Sequence, residues 1–361
     1  MTAYELTGPI LADEDRTVGK AWVVGGHMTY ERPRHTDVTR VDGWVIPGMV
    51  DMHCHLSVGP SGPVGGDLVV KQAMIERDAG VLMVRDTGSA SSLDVLDGRR
   101  DVPKVYRSGR FIARPKRYLK GYAVEVEPDE LASEAARQAK ASGSWVKIIA
   151  DWIDRDLGDG ADLAPLWSAR QWSDAVAAAH REGARVTAHT FATESLDALL
   201  DARLDCIEHG TGMTDVHMER AAAAGIPVVP TLLQIANFAS FAAQGAERFP
   251  IFAARMQRMY ERRYEQVAQM REAGVTLLAG TDAGTSIAHG DLAREAREMA
   301  TCMPAADAVA GATWRARKFL GAPVLEEGAP ADLVVLTEDP RRTIDTLGSP
   351  AMVMLEGLVI I

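Results

Sequence analysis

At 361 residues with 47% hydrophobic side chains, the chain is long enough to bury a large core and to build more than one structural unit. A formal charge of -11 argues against nucleic-acid and membrane-surface partners, since either needs a basic face. No apolar run approaches the roughly 18 residues of a membrane span, and the N-terminus, with Glu5, Asp13, Glu14 and Asp15, has no signal-peptide core. These features lead one to expect a cytoplasmic enzyme with a small-molecule substrate, with room for homo-oligomer formation.

Residues 1 to about 45 read as strands and turns: Tyr4-Glu-Leu-Thr, Lys20-Ala-Trp-Val-Val, a Gly25-Gly26 turn, then His27-Met-Thr-Tyr-Glu. The C-terminal end has the same texture in Asp332-Leu-Val-Val-Leu and Met352-Val-Met-Leu. Unpaired edge strands are a liability, so both ends are expected to share one small sheet domain, residues 1–45 with 323–361.

Between the ends, short β runs alternate with helical patterns, the signature of βα units and a parallel sheet. The first run lies in Trp44-Val-Ile-Pro-Gly-Met-Val-Asp-Met-His-Cys-His-Leu, the second is Val81–Arg85, and the third is Val102–Tyr106. Trp145–Ile149, Arg185–His189, Cys206–His209, Pro227–Leu232 and Val275–Gly280 complete eight. The expected fold is α/β, a (β/α)8 TIM barrel over residues 46–322, which takes roughly 250 residues. Helices are expected over about 67 to 79, from Pro128 to before Gly143, from a Ser168 or Ser173 cap to before Gly183, and from about 251 to 273. Cys54, Cys206 and Cys302 lack CxxC spacing and read as small buried hydrophobes.

Chemistry-bearing residues fall at the ends of the β runs. His53 and His55, one residue apart on a strand, project to one face while Cys54 points to the other. Lys147 follows Trp145-Val146, His189 closes Arg-Val-Thr-Ala-His, His209 closes Cys-Ile-Glu-His, and Asp282 follows Leu-Leu-Ala-Gly-Thr. In a parallel α/β barrel these strand ends form the active-site rim.

This order, with Pro47-Gly48-x-x-Asp51-x-His53-x-His55, resembles the amidohydrolase superfamily. It is most similar to the branch with two metals bridged by a carboxylated lysine, which includes the Xaa-Pro dipeptidase and imidazolonepropionase-like hydrolases. The resemblance covers essentially the whole chain. It implies that Gly328-Ala-Pro-Ala-Asp-Leu-Val-Val-Leu returns the chain from the barrel to a β-sandwich. It also implies two divalent ions, zinc by preference, held by His53, His55, Lys147, His189, His209 and Asp282. An ammonium facing two dications is unfavourable, and in the resembled family this lysine takes up carbon dioxide to become an anionic carbamate.

The chemistry so implied is hydrolysis of an amide by attack of a metal-bound hydroxide, with Asp282 as the proton shuttle. A deaminase on the same barrel would need a glutamate three residues after His189, where Ala192 stands; a lactonase or other ester hydrolase, or a non-catalytic scaffold, are the remaining rivals. Asp51 has the position to orient the site or to close the strand end. Glu208, adjacent to His209, is expected on the opposite face, and Arg85-Asp86 is expected to brace the rim by charge pairing. His27, His35, His180 and His217 read as solvated or packed.

The loop Arg110-Phe-Ile-Ala-Arg-Pro-Lys-Arg-Tyr-Leu-Lys-Gly-Tyr122 forms a basic island in an acidic chain. Arg114 or Arg117, helped by Tyr118 or Tyr122, is expected to bind a substrate carboxylate such as that of a dipeptide or N-acyl amino acid. His289, in the loop after Asp282, is a further candidate for substrate contact.

Overall fold

The computed structural model describes residues 3–34 and 37–361; His35 lies outside them. Strand Ala3–Asp13 runs antiparallel to Arg16–Val24 and parallel to Val38–Asp42, and pairs at Ile10 with Val45 of Trp44–Pro47. Leu333–Leu336 returns antiparallel onto Trp44–Pro47, followed by Met352–Leu355 and Leu358–Val359. Strands from both ends therefore share one eight-stranded sheet. The expected sandwich takes the form of this single hydrogen-bonded sheet, whose alternate side chains, among them Leu6, Ile10, Val23, Leu333 and Val335, pack into one apolar cluster.

The central segments form parallel ladders. A three-stranded sheet orders Lys104–Arg107, Val81–Asp86 and Met49–Cys54, and a six-stranded sheet runs Val124–Glu125, Ile112–Ala113, Trp145–Ile149, Arg185–Thr190, Cys206–His209 and Val228–Val229. Two expectations need correction here. The third run is split: Lys104–Arg107 pairs with Val81–Asp86, the chain then bends through Gly109 at φ 66, and Ile112 pairs with Ile148 of the next strand. The eighth run is no regular strand, because the chain narrows at Gly280 and turns at Asp282 with φ 59. It nevertheless bonds on both sides, with Leu278 N–H donating to Val228 O at 3.0 Å and Met52 N–H to Ala279 O at 2.9 Å.

Helices follow the local signals. Ser168 caps Ala169–Arg181 through a reciprocal box with Gln171, and the helix buries Trp172, Ala175, Val176 and Ala179 at helical spacing. Leu131–Ser142 stops where Gly143 adopts φ 65. Asp67–Asp78 and Pro250–Glu272 match the other two expected helices. Among the described residues no helix is long and apolar enough to cross a membrane. All three cysteines are free; Cys54 and Cys206 are buried and Cys302 half-buried.

Gly280 sets how closely the eighth segment approaches the first strand. A Cβ there would lie 2.6 Å from His53 N and 2.6 Å from Val229 Cγ1. Gly280→Ala is expected to destabilise the protein by about 1–3 kcal/mol, the usual cost of overpacking, seen as a lower urea midpoint. An unchanged midpoint would contradict this packing.

Candidate metal centre and active site

Register decides which side chains meet. In the parallel ladders Lys147 sits beside Thr187, and Ile149 beside His189 beside Glu208. Cross-strand neighbours share a face, so Lys147, His189 and Glu208 all project into the interior. At the rim the extended pattern breaks, with His209 at φ 64, Thr231 at φ 50 and Asp282 at φ 59. Left-handed backbone is uncommon for residues with a Cβ and collects at functional sites; here it returns the His209 and Asp282 side chains to the centre.

The predicted donors converge. His53 Nε2 lies 3.2 Å from His55 Nε2, and Asp282 Oδ1 stands 3.2 Å from the first and 2.9 Å from the second. His209 Nε2 is 3.1 Å from His189 Nδ1, and the donor atoms of His53, His209 and Asp282 all fall within 4.8 Å of one another. Lys147 lines the same cavity of about 370 Å³.

Electrostatics suits this cluster to a cation. Burial holds the His53 and His209 imidazoles below their ordinary value and brings His189 down to about 3, a direction that favours the neutral ring, whose lone pair can ligate. Burial pushes the Asp282 carboxyl up, but the facing His53 and His55 outweigh it and hold the group well below the usual carboxylate range. His53 Nδ1 and His189 Nε2 are buried without a hydrogen-bond partner among the described residues. Orphaned buried nitrogens of this kind are costly unless something binds them, and a set of imidazoles and a carboxylate fits divalent ions such as zinc.

Outer contacts orient these side chains, as they do around metal sites. His55 Nδ1 meets the Gly88 carbonyl at 3.0 Å and His209 Nδ1 meets Thr231 Oγ1 at 2.7 Å. Asp51 accepts from His53 N–H at 2.9 Å and from Thr281 Oγ1 at 2.6 Å, which ties the strand of the two histidines to the segment bearing Asp282.

Several expectations are corrected. Glu208 does not face away: it is fully buried inside, bonded to Lys147 Nζ, with Thr187 Oγ1 donating to it at 2.8 Å. Although burial pushes the Glu208 carboxyl up, the Lys147 charge foremost brings it below the usual range. The adjacent His209 was the misleading signal, since alternation fails where its backbone turns left-handed. Arg85, expected with Asp86 to brace the rim by charge pairing, finds its acid in Glu208, whereas Asp86 is held by uncharged donors. Arg85 donates to Met52 O at 2.8 Å and lies 3.5 Å from Glu208, while Asp86 accepts from Leu56 N–H and Ser89 Oγ.

Of the substrate-loop residues, Tyr118 and Tyr122 line the cavity and Arg114 and Arg117 do not. Arg117 instead pairs with Asp154 at 2.9 Å and Asp156 at 2.7 Å. His289 lies behind strand Met49–Cys54, on the Cys54 side, with Nδ1 2.9 Å from Glu76 of helix Asp67–Asp78. The cavity wall also holds Phe111, Trp152, Phe191 and Gln234, which no motif announced because each comes from a different segment of the chain.

Parallel ladders that bring four imidazoles, a carboxylate and a lysine into one interior are an arrangement of the TIM-barrel type. The amidohydrolase family profile matches residues 44–360, and the chain belongs to that family. Uncharacterized proteins of Mycobacterium tuberculosis and Mycobacterium bovis are 44% identical to it over 345 residues, covering 95% of this chain and 92% of theirs. Similar solved structures include a Xaa-Pro dipeptidase with methionine in its active site, at TM-score 0.83 and 20% identity over 99% of both chains. A prolidase complexed with N-methylphosphonate-L-proline has TM-score 0.82 and 20% identity over 99% of both chains. Ochratoxinase of A. niger has TM-score 0.81 and 19% identity over 99% of this chain and 96% of its own.

Proposed function

We propose that this amidohydrolase cleaves the C–N bond of a small amide bearing a free carboxylate, such as a dipeptide or N-acyl amino acid. The observation that carries the reading is the convergence of His53, His55, His189, His209, Asp282 and Lys147 on one cavity. The dipeptidase and prolidase similarities support it. Residues 46–322 form the catalytic domain in this reading, with 1–45 and 323–361 as a terminal domain.

His53, His55 and Asp282 would hold one divalent ion and His189 and His209 a second, with zinc the ion this donor set suits. Lys147, carboxylated by carbon dioxide, would bridge them. Such ions polarise a carbonyl and lower the pKa of a water. Asp282, ionised because its neighbours depress its pKa, takes the proton of the attacking water and passes it to the departing nitrogen. Phe111, Trp152 and Phe191 restrict water around the reacting carbon, and the Tyr118 and Tyr122 hydroxyls offer hydrogen bonds to the substrate.

Metal analysis of protein produced with zinc or manganese tests the reading, and about two ions per chain are expected. Occupancy that never exceeds one would remove the bridged centre.

A further inference from the structure

Beside the metal cavity lies a second one of about 440 Å³, walled by Phe241, Phe249, Phe252 and Met256. Leu119, Trp152, Phe191 and Phe241 line both cavities. The shared wall is thin: the Phe191 and Trp152 rings stand 4.1 and 5.6 Å from that of His189, centroid to centroid. Phe241 and Leu119 are exposed at 37% and 41%, so apolar surface is presented at the mouth rather than packed away. Arg155 also lines this cavity. Its two flanking acids, Asp154 and Asp156, are both taken by Arg117, and no hydrogen-bond or ion-pair partner engages the Arg155 guanidinium among the described residues.

From this juxtaposition we infer that the second cavity is a specificity pocket for an aromatic side chain on the leaving amino acid, whose carboxylate pairs with Arg155. The inference rests on the amide-hydrolase reading and narrows it to N-acyl aromatic amino acids and dipeptides with an aromatic C-terminal residue. An aromatic ring buries a large apolar area against the phenylalanines, and a guanidinium left free by its neighbours can hold a carboxylate through two parallel hydrogen bonds. Arg155 thus takes the anchoring role that the basic island at 110–122 was expected to play.

Calorimetry on the metal-loaded protein with three probes tests the pocket without turnover. 3-Phenylpropanoate is expected to bind about tenfold or more tighter than propanoate, in the range of pocket discrimination, and tighter than 3-phenylpropanamide. Arg155→Met should erase the acid-over-amide preference and keep the phenyl gain; Met256→Trp, which fills the cavity, should erase the phenyl gain. Equal binding of propanoate and 3-phenylpropanoate overturns the pocket. An acid preference that survives in Arg155→Met overturns the anchor, because the metals would then be holding the carboxylate. Cleavage of N-acetylphenylalanine and N-acetylglycine separates the two readings. The expected binding pattern with neither compound cleaved supports the pocket and removes the amide-hydrolase reading. Equal cleavage with flat binding removes the pocket and keeps the hydrolase.

Discussion

Asp282→Asn is expected to lower kcat by about two to four orders of magnitude, the usual worth of general acid-base catalysis, while metal content falls much less. The amide keeps the shape of the carboxylate and one oxygen toward the His53 and His55 nitrogens, from which Asp282 Oδ1 stands 3.2 and 2.9 Å. It has no basic site for the proton of the attacking water. The carboxylate position is held from behind, because Asp282 N–H donates to His53 O at 2.7 Å and Thr281 is bound to Asp51, so the substitution should not displace the segment. Measuring kcat and bound metal on the same preparation separates the roles. A parallel collapse of both makes Asp282 chiefly a ligand, and near-parent turnover sends the proton by another route.

The parts of this site that were legible in the sequence are those governed by local periodicity. Two histidines flanking Cys54 share a face because strand side chains alternate, and the structure sets Cys54 behind them against Glu76. His189 and Asp282 could be placed because each ends a short apolar run, and Lys147 because it interrupts one. What was not legible depends on backbone turns and on distant partners. Glu208 follows the inward register of His189 across the ladder, but the left-handed turn at His209 brings two consecutive residues inward, and no residue type announces such a turn. Arg117 is claimed by Asp154 and Asp156, more than thirty residues downstream, and His289 by Glu76, over two hundred residues away. In the fold, the eight runs could be counted, whereas the split of the third and the irregular eighth arise from bends at Gly109 and Asp282.

Lys147→Ala is expected to lower metal affinity at least about 100-fold, beyond the 10–100-fold typical of losing an outer contact to a metal site, and to abolish turnover with it. The decisive observation is what restores them. Lys147 is buried and hydrogen-bonded to Glu208, and the proposed carbamate and a plain ion pair give its side chain opposite charges. As a carbamate it supplies an anion to the ions, and short carboxylic acids such as propanoate, entering the vacated space, should recover part of the metal binding and activity. As an ammonium it neutralises Glu208, and ethylammonium, or the added substitution Glu208→Gln, should instead recover stability, since breaking a buried pair by removing one partner costs about 3–5 kcal/mol. Lys147→Arg fills the space with a fixed positive charge and should respond to no acid. Rescue of Lys147→Ala by propanoate with no response to ethylammonium establishes the bridging carbamate. Rescue by ethylammonium or by Glu208→Gln alone assigns Lys147 to a structural ion pair and leaves the metals held by the four histidines and Asp282.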